Sequence, residues 1–202
     1  MKEFKTTTDK IISIPENISE MTVKNLIEFA GIGDLDDSME NIGKIISIFT
    51  NEPLQTIKLD DFFEITNTLG ELFTTNLNES PIKEFVLNGV RYIGRDIEDM
   101  TTKEFIDFDT LSNEPVKNLP TLLAIIYTEA EPIEEDYTEG VKRRAEIFLN
   151  LDAESAQRAL VFFSTGFLNY AKVMTESLAQ ENPEIAKLIE ELNLLVSDGG
   201  GN

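Results

Sequence analysis

Cysteine, histidine and tryptophan are absent from this 202-residue chain. Without cysteine no disulfide can form, so the composition does not favour secretion. The lack of cysteine and histidine excludes zinc sites built from these residues, thiol nucleophiles and every catalytic triad with a histidine base. We therefore expect neither a histidine-dependent enzyme nor a disulfide-stabilised extracellular domain.

Basic residues are also scarce, since 17 lysines and arginines stand against 38 acidic residues and give a net charge of −21. Such a chain repels phosphate backbones and anionic lipid, so we expect no nucleic acid and no membrane as partner. A basic protein partner and plain solubility are both compatible with this charge. The chain also lacks a signal-peptide pattern and an apolar run of about 18 residues, which favours a cytoplasmic location.

Hydrophobic residues make up 41% of the chain and charged residues 27%, an ordinary globular composition. The length suits one domain over residues 1–197, followed by a flexible tail at 198–202. We expect an α+β, predominantly α-helical fold. Residues 1–98 hold a strand, a small helical region and a β-hairpin, 99–180 a bundle-like helical core, and 181–197 a terminal helix.

Two stretches have strand character. The first is Ile11–Ile14, which ends before Pro15. The second surrounds Asn88 and Gly89, a pair typical of two-residue hairpin turns because both positions need positive φ. Two strands alone are marginal, so we expect the hairpin to pair with the N-terminal strand or to pack on a helix.

Helix starts are marked by Thr22 and by Thr101, where Glu104 three residues later completes a capping box. The helix after Thr101 has an apolar side formed by Phe105, Ile106 and Phe108. A nearly all-apolar helix around residues 119–126 is expected to be buried. The acidic stretch 129–137 is expected to be an exposed loop, and the basic cluster 140–144 to contact it rather than bind phosphate.

The longest helix is expected to begin at Asp152 and to carry a wide apolar stripe. A last helix should begin at Asn182 and Pro183, which are typical of cap and first-turn positions. The simplest interpretation of both apolar stripes is that they are part of the core. The alternative is that they form a surface that binds a helix of a partner protein. The candidate partner-binding residues on the two helices are Leu160, Phe163, Phe167, Met174, Leu178, Leu188 and Leu192.

No pattern of catalytic, cofactor-binding or metal-ligating residues is recognisable. The acidic turn 34–40 lacks the glycine and glutamate that a calcium loop needs at its sixth and twelfth positions. Ser164 has no histidine to activate it. Glu104 with Asp107 or Asp109 is the best carboxylate pair by spacing, but capping and solvation explain these residues more simply. We expect no enzyme, no cofactor and no metal.

The order of several short motifs resembles a known group of proteins. These motifs are Ile14-Pro15-Glu16, Met21-Thr22-Val23, Leu59-Asp60-Asp61-Phe62, the Asn88-Gly89 hairpin, Met100-Thr101-Thr102-Lys103-Glu104-Phe105-Ile106-Asp107-Phe108-Asp109, Asn118-Leu119 to Ile125-Ile126-Tyr127, and Ala159-Leu160-Val161-Phe162-Phe163. Over about residues 10–170 the chain resembles proteins of roughly 200 residues encoded among the virion and tail genes of tailed bacteriophages, some similar to tail assembly chaperones. In those proteins an arginine-proline pair often follows the tyrosine at the end of the buried helix. This chain departs from them, because Thr128 and Glu129 follow Tyr127.

The resemblance implies a non-enzymatic assembly protein that shields an apolar helical partner during virion morphogenesis. Its partners would be phage structural proteins, either tape-measure-like or head–tail and portal components, and a homo-oligomer is compatible with it. The implied location is the host cytoplasm, or the virion if the protein stays in the particle. The alternative role is a structural virion component at the head–tail or portal ring, or a protein packaged in the particle. A third and weaker hypothesis, based on the acidic charge, is a mimic of DNA.

Overall fold

The computed structural model describes residues 1–32, 39–50, 52–74, 80–131 and 133–181, without the side chains of 39, 73, 74 and 174–181. The fold is α+β and mostly helical, as predicted. The strands are β1 (Lys2–Lys5), β2 (Ile11–Ile14), β3 (Glu84–Leu87), β4 (Val90–Gly94) and β5 (Tyr127–Glu129). The helices are α1 (Val23–Ala30), α2 (Met39–Thr50), α3 (Leu59–Thr74), α4 (Thr102–Leu111), α5 (Leu119–Ile126), α6 (Tyr137–Phe148) and α7 (Ala153–Glu181).

The N-terminal part is built on a hairpin in which β1 pairs antiparallel with β2. Asp9 in the connection has a φ of 62°, a left-handed conformation that aspartate tolerates better than most residues. Phe4 and Ile14 from this hairpin are buried together with Ile46 of α2 and Ile65 of α3. The amphipathic helices α2 and α3 thus cover the hairpin and form a first core.

The Asn88-Gly89 turn has the predicted geometry, with φ of 52° at Asn88 and 79° at Gly89. The prediction that this hairpin pairs with the N-terminal strand is wrong, because β4 pairs with β5 and the sheet order is β3-β4-β5. The β1–β2 hairpin forms a separate sheet. Tyr127 stabilises the observed arrangement, since its hydroxyl donates to the Ile82 carbonyl at 2.5 Å.

The second core surrounds α5, whose residues from Leu119 to Ile126 are buried except for Thr121. This helix packs chiefly on α6 and also contacts α4 and α7. Phe148 of α6 and Phe163 of α7 complete the core against Tyr92 of β4. The expected burial of this helix is confirmed.

The two cores meet at a short backbone connection between the start of α1 and the start of α7. Val23 N–H donates to the Leu151 carbonyl at 2.9 Å, and Ala153 N–H donates to the Met21 carbonyl at 2.9 Å. Asp152 caps α7 as predicted, because its carboxylate accepts from the Ser155 N–H at 2.8 Å. The start of α7 is thereby attached to both halves of the molecule.

Candidate functional site

Helix α4 is fixed at its first turn by the predicted capping box. The Thr101 hydroxyl accepts from Glu104 N–H at 3.3 Å, and the Glu104 carboxylate accepts from Thr101 N–H at 2.7 Å. Arg95 donates to the same carboxylate at 2.7 Å and to the Ile125 carbonyl at 2.8 Å. One buried glutamate therefore ties α4 to the β4 side of the core and to α5.

The Glu104 and Asp107 carboxylates, considered above as an acid–base pair, are both engaged in structural contacts. Burial acts to raise the pKa of Glu104, but hydrogen bonds from Arg95 and Thr101 outweigh it and hold the pKa below its ordinary value. Lys103 donates to Asp107 at 2.8 Å and lowers the pKa of that carboxyl. Both pKa shifts favour the ionised state of the carboxyl groups.

An apolar groove of about 450 Å³ lies between α4 and α7, with Leu122 of α5 among its lining residues. Its lining is dominated by Phe105, Phe108, Leu160, Phe163 and Phe167. Asp109 is the only charged residue in the described part of the lining. We call this feature the α4–α7 groove.

The aromatic rings of the groove form a buried pair and an exposed pair. Phe108 and Phe163 have ring centroids 4.3 Å apart, and Phe163 is only 4% exposed. Phe105 and Phe167 lie nearly parallel, at 16° and 6.3 Å between centroids, and each is 38% exposed. Leu168 beside them is 67% exposed. The groove thus has a packed floor and an open apolar mouth.

Polar groups contribute little to the lining. The Ser112 hydroxyl donates to the Phe108 carbonyl at 2.8 Å, so it is already engaged within α4. Ser164 is exposed on α7. An apolar recess with so few directional groups suits the burial of apolar side chains better than the orientation of a polar substrate.

The structure brings three of the seven predicted partner-binding residues into this groove, namely Leu160, Phe163 and Phe167. Met174 and Leu178 lie in the last turns of α7, but their side chains are outside the described part of the chain. Leu188 and Leu192, with the predicted terminal helix and tail, also lie outside the described residues, as does most of the turn 34–40.

Residues of α4 and of the segment after it were missed as members of the site. Phe105 and Phe108 were recognised as the apolar side of their helix, but periodicity alone does not show which helix faces them. Pro115 and Leu168 also line the groove. Ile106, assigned to the same apolar side, is 55% exposed.

The basic cluster contacts the acidic stretch, as predicted. Arg143 donates to Glu129 at 2.7 Å and to Glu135 at 2.6 Å, and the hydrogen bond to Glu135 raises the pKa of Arg143. Arg144 lies 3.5 Å from Glu129 and donates to the Ala124 carbonyl at 3.1 Å. The prediction that Glu129 lies in an exposed loop is wrong, because these arginines pair with it in β5 and it is 7% exposed.

Comparisons with protein-family models, with curated proteins and with solved structures gave no match to this chain. Within the described ranges, no helix combines the length and apolar character needed to span a membrane. The same residues contain no group of three or more acidic side chains arranged to hold a metal ion.

Proposed function

We propose that this protein is a non-enzymatic assembly protein that holds an apolar helix of another protein in the α4–α7 groove. The observation that carries the proposal is the exposed Phe105–Phe167 pair above a packed aromatic floor. Contiguous exposed apolar side chains are a common feature of protein–protein binding sites. An open groove between two helices is the geometry that accepts the apolar face of a third helix.

The biological setting that we propose is the assembly of a tailed bacteriophage, with a role like that of a tail assembly chaperone. The motif order between about residues 10 and 170 supports this setting. A protein of this kind would keep a phage structural partner, such as a tape-measure-like chain, from aggregating in the host cytoplasm. The net charge of −21 supports such a role, because like-charged complexes repel one another.

Capture from phage-infected cells tests the proposal, with identification of the captured protein by mass spectrometry. The wild-type chain is expected to retain a phage structural protein, and Phe167→Glu is expected to lose it because a carboxylate then lies in the groove mouth. Phe63→Glu is the matched control, since Phe63 is a 63% exposed phenylalanine on α3. Retention by both variants, with circular dichroism unchanged, would contradict the proposed site.

The alternative is a permanent virion component, and the composition of purified particles separates the two roles. An assembly chaperone is expected to be missing from particles or present far below the copy number of the ring and tube subunits. A fixed copy number in every particle, measured by quantitative mass spectrometry, would contradict the chaperone role and favour a structural one.

A further inference from the structure

Acidic side chains line the α4–α7 groove and a second recess that α7 helps to form. Asp109 of α4 lines the groove, while Asp96 and Glu98 line a second recess formed with Asn169 and Tyr170 of α7. Among the described residues that line the two recesses there is no lysine or arginine. One carboxylate, that of Asp109, therefore lies in the lining of the groove itself.

Two of these carboxylates are available to a partner. Lys83 lies 2.6 Å from Asp96 and neutralises it. Asp109 and Glu98 are exposed, and among the described side chains neither has an ion-pair partner. Asp109 thus places an unpaired carboxylate in the groove and Glu98 another in the second recess, within a strongly acidic molecule.

This charge argues against the two occupants that the chain itself supplies. A second copy would bring another net charge of −21 to the same surface. Residues 182–202 have an apolar stripe in their sequence, but they carry four acidic residues and one lysine. Both would place further negative charge beside Asp109.

We infer that the occupant of the α4–α7 groove is a positively charged amphipathic helix of a different protein. The inference rests on the proposed function and adds the chemistry of the partner. Its apolar face covers Phe105, Phe167 and Leu168, and a lysine or arginine at the edge of that face approaches Asp109. The apolar contact supplies most of the affinity, while the charges select the partner and speed association.

Three synthetic peptides of about 18 residues, long enough to form a helix on binding, test the inference. They share one leucine face and differ only in carrying lysine, glutamine or glutamate on the polar face. By fluorescence anisotropy in about 0.05 M salt, we expect the lysine peptide to bind at least about tenfold more tightly than the glutamate peptide. The difference should narrow in about 0.5 M salt, where screening is stronger.

A pair of variants separates local charge from the overall charge of the protein. Asp109→Asn should weaken binding of the lysine peptide by about two- to fivefold, as expected for one exposed ion pair. Asp60→Asn makes the same change in net charge at an exposed position on α3 and should leave the affinity nearly unchanged. Equal effects of the two variants would overturn the inference.

The remaining outcomes distinguish the two proposals. If all three peptides bind with equal affinity and Phe167→Glu abolishes their binding, the inference about charge is overturned. The groove would then still be a binding site for an apolar helix. No binding of any peptide overturns the proposed function and this inference together. Tighter binding of the glutamine peptide after Leu188→Glu with Leu192→Glu would identify the chain's own C-terminal segment as the occupant. A self-association lost in Phe167→Glu, measured by sedimentation, would identify a second copy.

Discussion

Phe163 and Phe167 lie one helical turn apart on α7, and truncating each should affect different properties. Phe163 is 4% exposed and packs on Phe108, whereas Phe167 is 38% exposed at the groove mouth. Phe163→Ala removes a ring from a packed core and leaves a cavity. Such a change typically lowers the free energy of unfolding by about 3–5 kcal/mol.

Phe167→Ala removes a ring that already has much of its surface in water. A fully buried phenylalanine makes a known contribution to the free energy of unfolding, and Phe167 buries only part of its surface. Multiplying that contribution by the buried fraction of Phe167 gives an expected loss of about 1–2 kcal/mol in the free energy of unfolding. The two substitutions delete the same atoms from the same helix. The difference between their losses of unfolding free energy therefore reports how deeply each ring is buried. Against a total stability of about 5–15 kcal/mol, only Phe163→Ala approaches the threshold for unfolding.

Urea titration followed by far-ultraviolet circular dichroism gives both free energies of unfolding. We expect the midpoint to fall clearly further for Phe163→Ala than for Phe167→Ala, with similar slopes. Partner or peptide binding should be reduced by Phe167→Ala in protein that is still folded. Equal losses of stability would refute the division of the groove into a packed floor and an open mouth.

Two further predictions concern the framework. Gly94→Ala should lower the melting temperature, because the added Cβ would lie 2.7 Å from Phe162 and 3.0 Å from Tyr127. In the control Gly70→Ala on α3, the added Cβ meets nothing within 4 Å, so the melting temperature should rise slightly. Glu104 has a lowered pKa, so its contribution to stability is present above its unfolded-state pKa and is lost as pH falls through the folded-state pKa. Relative to wild type, Glu104→Gln should therefore be least stable at pH values well above the ordinary glutamate pKa of about 4.3. The difference in stability should shrink as the pH falls below that value, as measured by thermal melts.

Local signals in the sequence were sufficient wherever one or two residues determine the conformation. The caps at Thr22 and Thr101 and the turn at Asn88 and Gly89 are of this kind, and all three are confirmed. The turn of the N-terminal hairpin was not predicted, because it contains no asparagine-glycine pair and places Asp9 in the left-handed region.

Long-range pairing could not be predicted from the same signals. The short strand β5 follows directly on the buried helix α5, and its pairing with β4 depends on contacts such as Tyr127 with Ile82. Periodicity on α7 predicted the residues Leu160, Phe163 and Phe167, but only the packing of α4 decides that Phe163 is covered and Phe167 is left exposed.

The proposed function requires the mouth of the α4–α7 groove to contact a partner protein. Photo-crosslinking tests it directly, with benzoylphenylalanine in place of Phe167 in the full chain expressed during phage infection. Benzoylphenylalanine in place of the exposed Phe63 serves as the control. We expect a crosslink from position 167, and none from position 63, to a phage structural protein that carries a basic amphipathic helix. The proposed contact would be contradicted if irradiation gave no crosslink at position 167, or if it gave the same products at both positions.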